Sequence, residues 1–181
     1  MLFRSTNTLF CSFTAILLIA SAALSQGTSG AVAPPEGFTD LVGTDLSHWK
    51  DADKLAPNWK IENGMLVNDG KGVNAVSAKN YRNFELRLEW KIPANGDSGV
   101  FLPGGQQIQI HAKKNSSGAF VWNHVPPVPP LADAAKPIGE WNSFRIVLVG
   151  GKVTVHLNDK LVMRSEEHTS ELQSPYVISY A

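Results

Sequence analysis

The sequence predicts an all-β protein folded as an antiparallel β-sandwich. Several short segments alternate apolar and polar residues with a period of two, and turn residues separate them. No segment keeps a helical period for three turns. Many short strands joined by turns are typical of a sandwich, and 181 residues suit one domain with a sizeable core.

The clearest predicted strand is FELRLEWK at residues 84–91, in which every second side chain is apolar. Residues 107–111, 144–148 and 153–157 repeat this alternation. Each of these segments therefore predicts a strand with one buried face and one polar face.

Two pairs of turn residues predict hairpins. Asn63-Gly64 and Asn158-Asp159 each separate two strand-like segments, and these residue types tolerate positive φ. The proline-rich segment Val125–Pro137 suits neither a helix nor a central strand, so a long loop is expected there.

Charge and cysteine content exclude some classes of protein. The chain has 16 basic and 16 acidic residues, which argues against nucleic acid as a partner and against a polybasic membrane surface. Its one cysteine, Cys11, lies in the apolar N-terminal run, so no disulfide or thiol chemistry is expected.

The N-terminus predicts a signal peptide. Residues 9–24 are apolar apart from small hydroxyl residues, and this run is shorter than the roughly 20 residues of a membrane span. Residues 1–25 are therefore expected to be a cleaved signal peptide and 26–36 a flexible lead-in, with no other membrane segment. The protein is accordingly expected to be secreted or periplasmic.

The C-terminus predicts a non-native tail at residues 164–181. RSEEHTSELQS, which begins at Arg164, matches the in-frame translation of a common short-read sequencing adapter. The β-sandwich domain is thus expected to cover 37–163 and to be incomplete at its C-terminus. We expect the tail to be irregular and a sheet edge to be open beside residues 153–162.

The region from Gly37 to Val162 resembles the 3-keto-disaccharide hydrolase domain family. The segments that carry the resemblance are GFTDLVGTDLSHWK, NWKIENGMLV, YRNFELRLEWKI, GDSGVFL, QIQI and GEWNSFRIVLVGGKVTVHLND, in that order. The resemblance implies a concanavalin-like jelly roll whose concave sheet binds carbohydrate, and a secreted enzyme that cleaves glycosides oxidised at C3. Because a 3-keto group acidifies the C2 proton, the glycoside could be cleaved either by hydrolysis or by elimination. The cleavage then needs a base near C2 and an acid near the glycosidic oxygen.

Two other functions stay open. The same polar strand faces would serve a non-catalytic, lectin-like carbohydrate-binding module. A structural or adhesion domain would leave those faces unexplained.

The resemblance and the polar faces of two strands together predict six site residues. The predicted catalytic residues are Glu89 and His111. The predicted substrate-binding residues are Gln107, Gln109, Arg87 and Glu85. We expect the two polar faces to lie side by side on the concave sheet.

The chain departs from the family pattern at two positions near the expected site. Pro103 replaces an arginine and Ala112 an aspartate that many relatives carry, which shifts the expected base role to His111. No set of His, Asp and Glu residues has the spacing of metal ligands, so no cofactor is predicted. A structural or catalytic divalent metal is left open.

Overall fold

A computed structural model describes residues 1–4, 36–122, 125–165 and 175–180. Within these ranges there are two short helices, the 3₁₀ helix Leu46–His48 and the α-helix α1 (Ala52–Leu55). Neither of these described helices is long and apolar enough to cross a membrane. The remaining elements are strands in two antiparallel sheets, and the predicted all-β sandwich is confirmed.

The first sheet has seven strands. In chain order they are β1 (Leu2–Arg4), β2 (Trp59–Glu62), β3 (Met65–Asn68), β5 (Phe84–Lys91), β10 (Asn142–Val149), β11 (Lys152–Leu157) and β12 (Lys160–Ser165). Their spatial order is β12-β11-β10-β5-β1-β3-β2.

The second sheet has six strands. In chain order they are β4 (Ala75–Asn80), β6 (Asp97–Phe101), β7 (Gln107–His111), β8 (Phe120–Trp122), β9 (Val125–Val128) and β13 (Pro175–Tyr180). Their spatial order is β4-β13-β6-β7-β8-β9.

The core lies between the two sheets and is made by the apolar members of the alternating segments. In the seven-stranded sheet the buried residues include Phe84, Leu86, Leu88, Trp90, Phe144, Ile146, Leu148, Val153, Val155 and Leu157. From the six-stranded sheet they include Val100, Ile108 and Ile110. The period-two prediction of which side chains are buried is therefore confirmed, and the outward residues of β5, β7 and β11 are polar.

Both predicted hairpins are present. Glu62 pairs with Met65 across Asn63-Gly64, whose φ angles are 51° and 69°. Leu157 pairs with Lys160 across Asn158-Asp159, at φ 49° and 66°. Two consecutive residues at positive φ are what a two-residue hairpin requires, which explains why Asn, Asp and Gly occupy these positions.

The proline-rich segment is only partly a loop. Its first four residues form β9, an edge strand that pairs with β8. Proline lacks the N–H of a ladder donor and is tolerated at a sheet edge, so Pro126 and Pro127 fit this position. The expectation of a loop over the whole segment is wrong for Val125–Val128.

The N-terminal residues of the predicted signal peptide take part in the seven-stranded sheet. Leu2 pairs with Val67 of β3 and with Lys91 of β5, and Phe3 is 2% exposed. Residues 5–35, which hold most of the predicted signal peptide and lead-in, lie outside the described residues. Cleavage of the peptide stays a prediction.

The C-terminal tail is also part of the fold. β13 pairs with β4 on one side and β6 on the other, and β12 continues through Arg164 to Ser165. The expectation of an irregular tail is wrong for these residues. Tyr, Val and Ile favour extended backbone, and strands β4 and β6 offer two ladders to one inserted strand. As expected, β12 is an edge strand. Residues 166–174 lie outside the described residues.

Candidate functional site

The six predicted site residues lie on two opposite faces of the sandwich. Glu85, Arg87 and Glu89 alternate with buried Leu86 and Leu88, so they project from the outer face of the seven-stranded sheet. Gln107, Gln109 and His111 alternate with buried Ile108 and Ile110, and project from the outer face of the six-stranded sheet. The prediction that both sets share a concave face is wrong. Alternation indicates whether a side chain points inward, but not which sheet its strand joins.

A groove of about 620 Å³ runs over the outer face of the six-stranded sheet. Its polar lining includes Asn74, Asp97, Gln107, Gln109, His111 and Ser116. Phe101, Val121 and Pro127 add apolar surface. A cleft of this size with convergent polar groups is the usual form of a small-molecule site.

Asp97 provides the carboxylate that faces His111 in this groove. The two residues are directly opposed in the β6–β7 ladder. Asp97 Oδ2 lies 4.0 Å from His111 Nε2, and Asp97 Oδ1 accepts a hydrogen bond from Gln109 Nε2. Gln109 therefore fixes one carboxylate oxygen and leaves the other directed toward the imidazole.

The imidazole of His111 is held by backbone groups. Its Nδ1 accepts a hydrogen bond of 2.8 Å from Lys113 N. The backbone of His111 exchanges two 3.0 Å hydrogen bonds with Ser117 Oγ, which is buried. Because Nδ1 acts as an acceptor, the neutral ring carries its proton on Nε2. The nitrogen nearest Asp97 is thus the donor.

Gly99 allows Gln107 to lie across the floor of the groove. A Cβ atom at Gly99 would be only 2.1 Å from Gln107 Nε2. The outward position between Asp97 and Phe101 on β6 is therefore open only because residue 99 has no side chain.

Asp97 was not among the predicted site residues. A signal for it was present, because DSGVF and QIQIH flank the short turn segment Leu102–Gln106 and could form a hairpin. Pairing Phe101 with Gln107 places Asp97 opposite His111. Only the register of the β6–β7 pair shows that Asp97 lies opposite His111.

On the opposite face Glu85 belongs to a compact ion network. Its carboxylate accepts two 2.8 Å hydrogen bonds from Arg145 and a third from Arg87. Burial works to raise the pKa of Glu85, but the hydrogen bonds and charges of Arg145 and Arg87 outweigh it and hold the pKa below its ordinary value. The Glu85 side chain is 9% exposed, so a ligand has little access to it.

Glu89 is engaged by the N-terminal strand. Its carboxylate forms an ion pair with Arg4, whose guanidinium carbon lies 4.3 Å from the centroid of the Trp141 ring. Lys91 Nζ lies 5.2 Å from the same ring. Charged groups on this face are thus mostly paired with one another or with aromatic rings.

The two departures from the family pattern lie outside the groove. Neither Pro103 nor Ala112 is among the described residues that line it. Pro103 is buried in the turn after β6, and Ala112 N donates a 3.0 Å hydrogen bond to Gly96 O. Within the described ranges no three His, Cys, Asp or Glu residues gather as metal ligands would.

Known proteins resemble this chain in sequence and in fold. A 3-keto-disaccharide hydrolase of Bacteroides thetaiotaomicron is 26% identical over 70% of this chain, which spans only 57% of that relative. Two crystal structures from Parabacteroides distasonis, both provisionally described as glycosyl hydrolases, superpose with TM-scores of 0.64 and 0.59. The first is 22% identical and covers 79% of this chain and 90% of its own, and the second is 21% identical and covers 76% and 84%. At these identities the two structures show the sandwich fold alone.

A family model describes most of the chain. It matches residues 37–176, so the match extends past Met163, the predicted end of the native domain. The matched range contains the core strands of both sheets and the whole groove. The chain belongs to the family of 3-keto-α-glucoside-1,2-lyase-like domains.

Proposed function

We propose that this protein cleaves the glycosidic bond of 3-keto-glycosides in the groove of the six-stranded sheet. The observation that carries the proposal is the pair of Asp97 and His111, opposed across β6 and β7 in a groove of about 620 Å³. Family membership and the 3-keto-disaccharide hydrolase of Bacteroides thetaiotaomicron supply the substrate class.

Asp97 acts as the base in this proposal. A carbonyl at C3 acidifies the hydrogen on C2, so a carboxylate in contact with C2 can remove it. Gln109 holds Asp97 Oδ1, which directs the Oδ2 oxygen toward His111 and the bound sugar. This assigns the base role to a residue other than the predicted His111 or Glu89.

His111 acts as the electrophile. Its Nε2 carries the proton when the ring is neutral, and the 4.0 Å separation from Asp97 Oδ2 is too long for a hydrogen bond. Nε2–H can therefore donate to the C3 oxygen as negative charge develops on it, while Asp97 contacts the adjacent carbon. Donors aimed at developing charge are a large source of rate enhancement.

The bond changes follow from these two roles. The C2–H electrons form the enolate that His111 stabilises, and then the C1=C2 double bond as the C1–O bond breaks. The departing oxygen takes a proton from water and leaves as an alcohol, and a hydroxide ion remains. This hydroxide adds to C1 of the C1=C2 double bond while protonated Asp97 returns its proton to C2, which gives the hydrolysed 3-keto sugar and restores the carboxylate.

The test measures alcohol release from a 3-keto-α-glucoside by the full chain and two variants. Asp97→Asn keeps the shape of the side chain and removes the base, so we expect turnover to fall by about 10²–10⁴-fold. Glu89→Gln, on the opposite face, is the matched carboxylate control and is expected to stay within about twofold of wild type. Equal turnover by wild type and Asp97→Asn would overturn the assignment.

Binding without turnover is the outcome that would favour a carbohydrate-binding module. Calorimetric titration of the same 3-keto-glucoside into wild-type protein separates the two functions. Saturable binding in a preparation that releases no alcohol would contradict the enzymatic proposal. The groove would then be interpreted as a sugar-binding surface.

We also propose that the protein is exported, to the periplasm or the exterior. The support is the apolar run at residues 9–24 with small residues after it. Mass spectrometry of protein recovered from the producing cells should give an N-terminus near Gln26, in which case β1 and the Arg4 partner of Glu89 belong to the uncleaved chain alone. An intact Met1 in the exported protein would contradict cleavage.

A further inference from the structure

The hydroxyl of Ser117 takes the place of a strand partner for His111. The β7–β8 ladder extends to Gln109, whose N–H and C=O bond to Ala119 O and Gly118 N at 2.9 and 2.8 Å. Because the backbone groups of alternate residues point the same way from a strand, those of His111 also face this side of β7. There Ser117 Oγ accepts a hydrogen bond from His111 N and donates one to His111 O, both at 3.0 Å. One buried side chain, 4% exposed, therefore satisfies both backbone groups of His111.

A tight turn brings Ser117 into this position. Ala119 N donates a 3.1 Å hydrogen bond to Ser116 O, and Gly118 within the turn has a φ of 87°. A Cβ atom on Gly118 would lie only 2.7 Å from Val162 Cγ2 of β12. Glycine at this position thus allows both the positive φ and the close approach to β12, which together fix the place of the Ser117 hydroxyl.

The other side of the same loop bonds to the imidazole ring. Lys113 N donates to His111 Nδ1 at 2.8 Å, and the neighbouring Ala112 N donates to Gly96 O at 3.0 Å. Lys113 is exposed, so water competes with its N–H for Nδ1 whenever the loop backbone moves. A neutral imidazole can carry its proton on either nitrogen, and the hydrogen bond made by one nitrogen decides the state of the other. The backbone of the loop therefore sets whether Nε2 is the donor.

We propose that Ser117 is a positioning residue for His111. Its hydroxyl holds the His111 backbone and the loop that follows it, so that Lys113 N–H stays on Nδ1 and the Nε2–H donor stays in the groove beside Asp97. This inference rests on the proposed function, because that function gives Nε2–H its role at the C3 oxygen. Ser117 is not among the described residues that line the groove, so it acts on a ligand only through His111.

The first experiment measures the tautomer of His111 directly. Nitrogen NMR of the full chain at pH 8.5, where a histidine is ordinarily neutral, distinguishes the protonated from the unprotonated ring nitrogen. In wild type we expect the proton on Nε2 alone, and in Ser117→Ala a mixture of the two tautomers. Ser117→Thr keeps the hydroxyl and should retain the wild-type signals. The signals of His111 are identified by their absence from the spectrum of His111→Phe.

Ser143→Ala is the matched control for the NMR comparison. Ser143 lies on β10, in the other sheet, so its replacement should leave the His111 signals unchanged. A folded Ser117→Ala protein that still carries the proton on Nε2 alone would overturn the positioning role.

A measurement on wild type covers the case in which Ser117→Ala does not fold. Protonation of Nδ1 in acid removes the acceptor of the Lys113 N–H. The amide signal of Lys113 should therefore move together with the ring signals of His111 as the pH is lowered from 8.5 to 5. A constant Lys113 amide signal during protonation of His111 would show that the loop does not hold the ring, and the proposal would fail.

Kinetics separate this proposal from the proposed function. With a 3-keto-α-glucoside, Ser117→Ala should lower kcat by about 3- to 10-fold and change KM by less than about twofold, because the Nε2–H donor acts on charge that develops in the transition state. Ser117→Thr should recover most of this loss, and Ser143→Ala should stay within about twofold of wild type. A loss of kcat in Ser117→Ala with an unchanged tautomer would leave Ser117 a structural role only. If wild type cleaves no 3-keto-glycoside, the proposed function fails, whereas the NMR comparison still decides whether Ser117 positions His111.

Discussion

The two outer faces of this sandwich carry similar residue types in different arrangements. On the seven-stranded sheet the charges neutralise one another, as in the Glu85–Arg145–Arg87 network and the Glu89–Arg4 pair. On the six-stranded sheet a carboxylate and an imidazole lie 4.0 Å apart in an open groove among amides. Charges satisfied by protein partners stabilise a fold, while polar groups held by one hydrogen bond and open to a groove can act on a ligand.

The largest expected difference between the faces is in turnover. His111→Phe keeps a planar ring and removes the Nε2 donor, so alcohol release should fall by about 100-fold. His156→Phe, on the outer face of the other sheet opposite Arg145, is the matched control and should retain turnover within about twofold. A drop of similar size in both variants would mean that histidine substitution damages the fold, and the distinction between the faces would fail.

The next difference is in stability. Glu85→Gln leaves two guanidiniums without their carboxylate, and urea unfolding should show a loss of about 1–2 kcal/mol in the free energy of unfolding. Both arginine side chains are nearly half exposed, so water screens part of the cost.

Glu62→Gln is the control for Glu85→Gln. The Glu62–Lys60 ion pair is exposed and screened by water, so its loss should leave the free energy of unfolding unchanged within the error of the measurement. Turnover should be unaffected by either substitution. Loss of turnover in Glu85→Gln at full stability would move the site to the seven-stranded sheet.

The same network predicts a pH dependence. Because the pKa of Glu85 is lower in the folded than in the unfolded protein, its stabilisation is fully present above the ordinary value of 4.5 and is lost as pH falls through the lower folded-state pKa. Urea unfolding between pH 6 and 3 should therefore show wild type and Glu85→Gln converging in acid. A constant difference down to pH 3 would contradict the depressed pKa.

The smallest expected effect concerns Gln107. Its side chain lines the groove across Gly99, and Gln107→Ala should raise KM by about 3- to 10-fold through loss of one substrate hydrogen bond. Thr154→Ala, on the outer face of β11, should leave KM unchanged. An unchanged KM in both variants would remove Gln107 from the sugar-binding surface.

The sequence predicted which residues are buried and which strands form two local hairpins, but not which strands distant in sequence are neighbours. Alternation correctly separated Leu86 and Leu88 from Glu85 and Glu89, because a strand with one face in the core must alternate. The assignment of β5 and β7 to different sheets depends on contacts between distant segments. For that reason the predicted association of Glu89 with His111 was wrong.

Part of the candidate site was also predictable from the alternation of side chains along a single strand. Gln107, Gln109 and His111 share one strand, so their common face follows from the period of two. Asp97 required the register of the β6–β7 hairpin, and its contact with Gln109 required side-chain geometry.

The positions of β1 and β13 have a consequence for the speed of folding. In the uncleaved chain both strands lie far in sequence from their partners, and each lies in the interior of its sheet: Phe3 pairs with Trp90 and Val177 with Val76. The hairpins β2–β3 and β10–β11 close across a few residues and can form early. Contacts over such long sequence separations carry a high loop-closure entropy and form slowly. Until β1 and β13 add, strands β3, β5 and β6 therefore stay unpaired on one side, and β4 lacks a ladder partner among the described strands. Refolding at high protein concentration should then compete with aggregation at these edges.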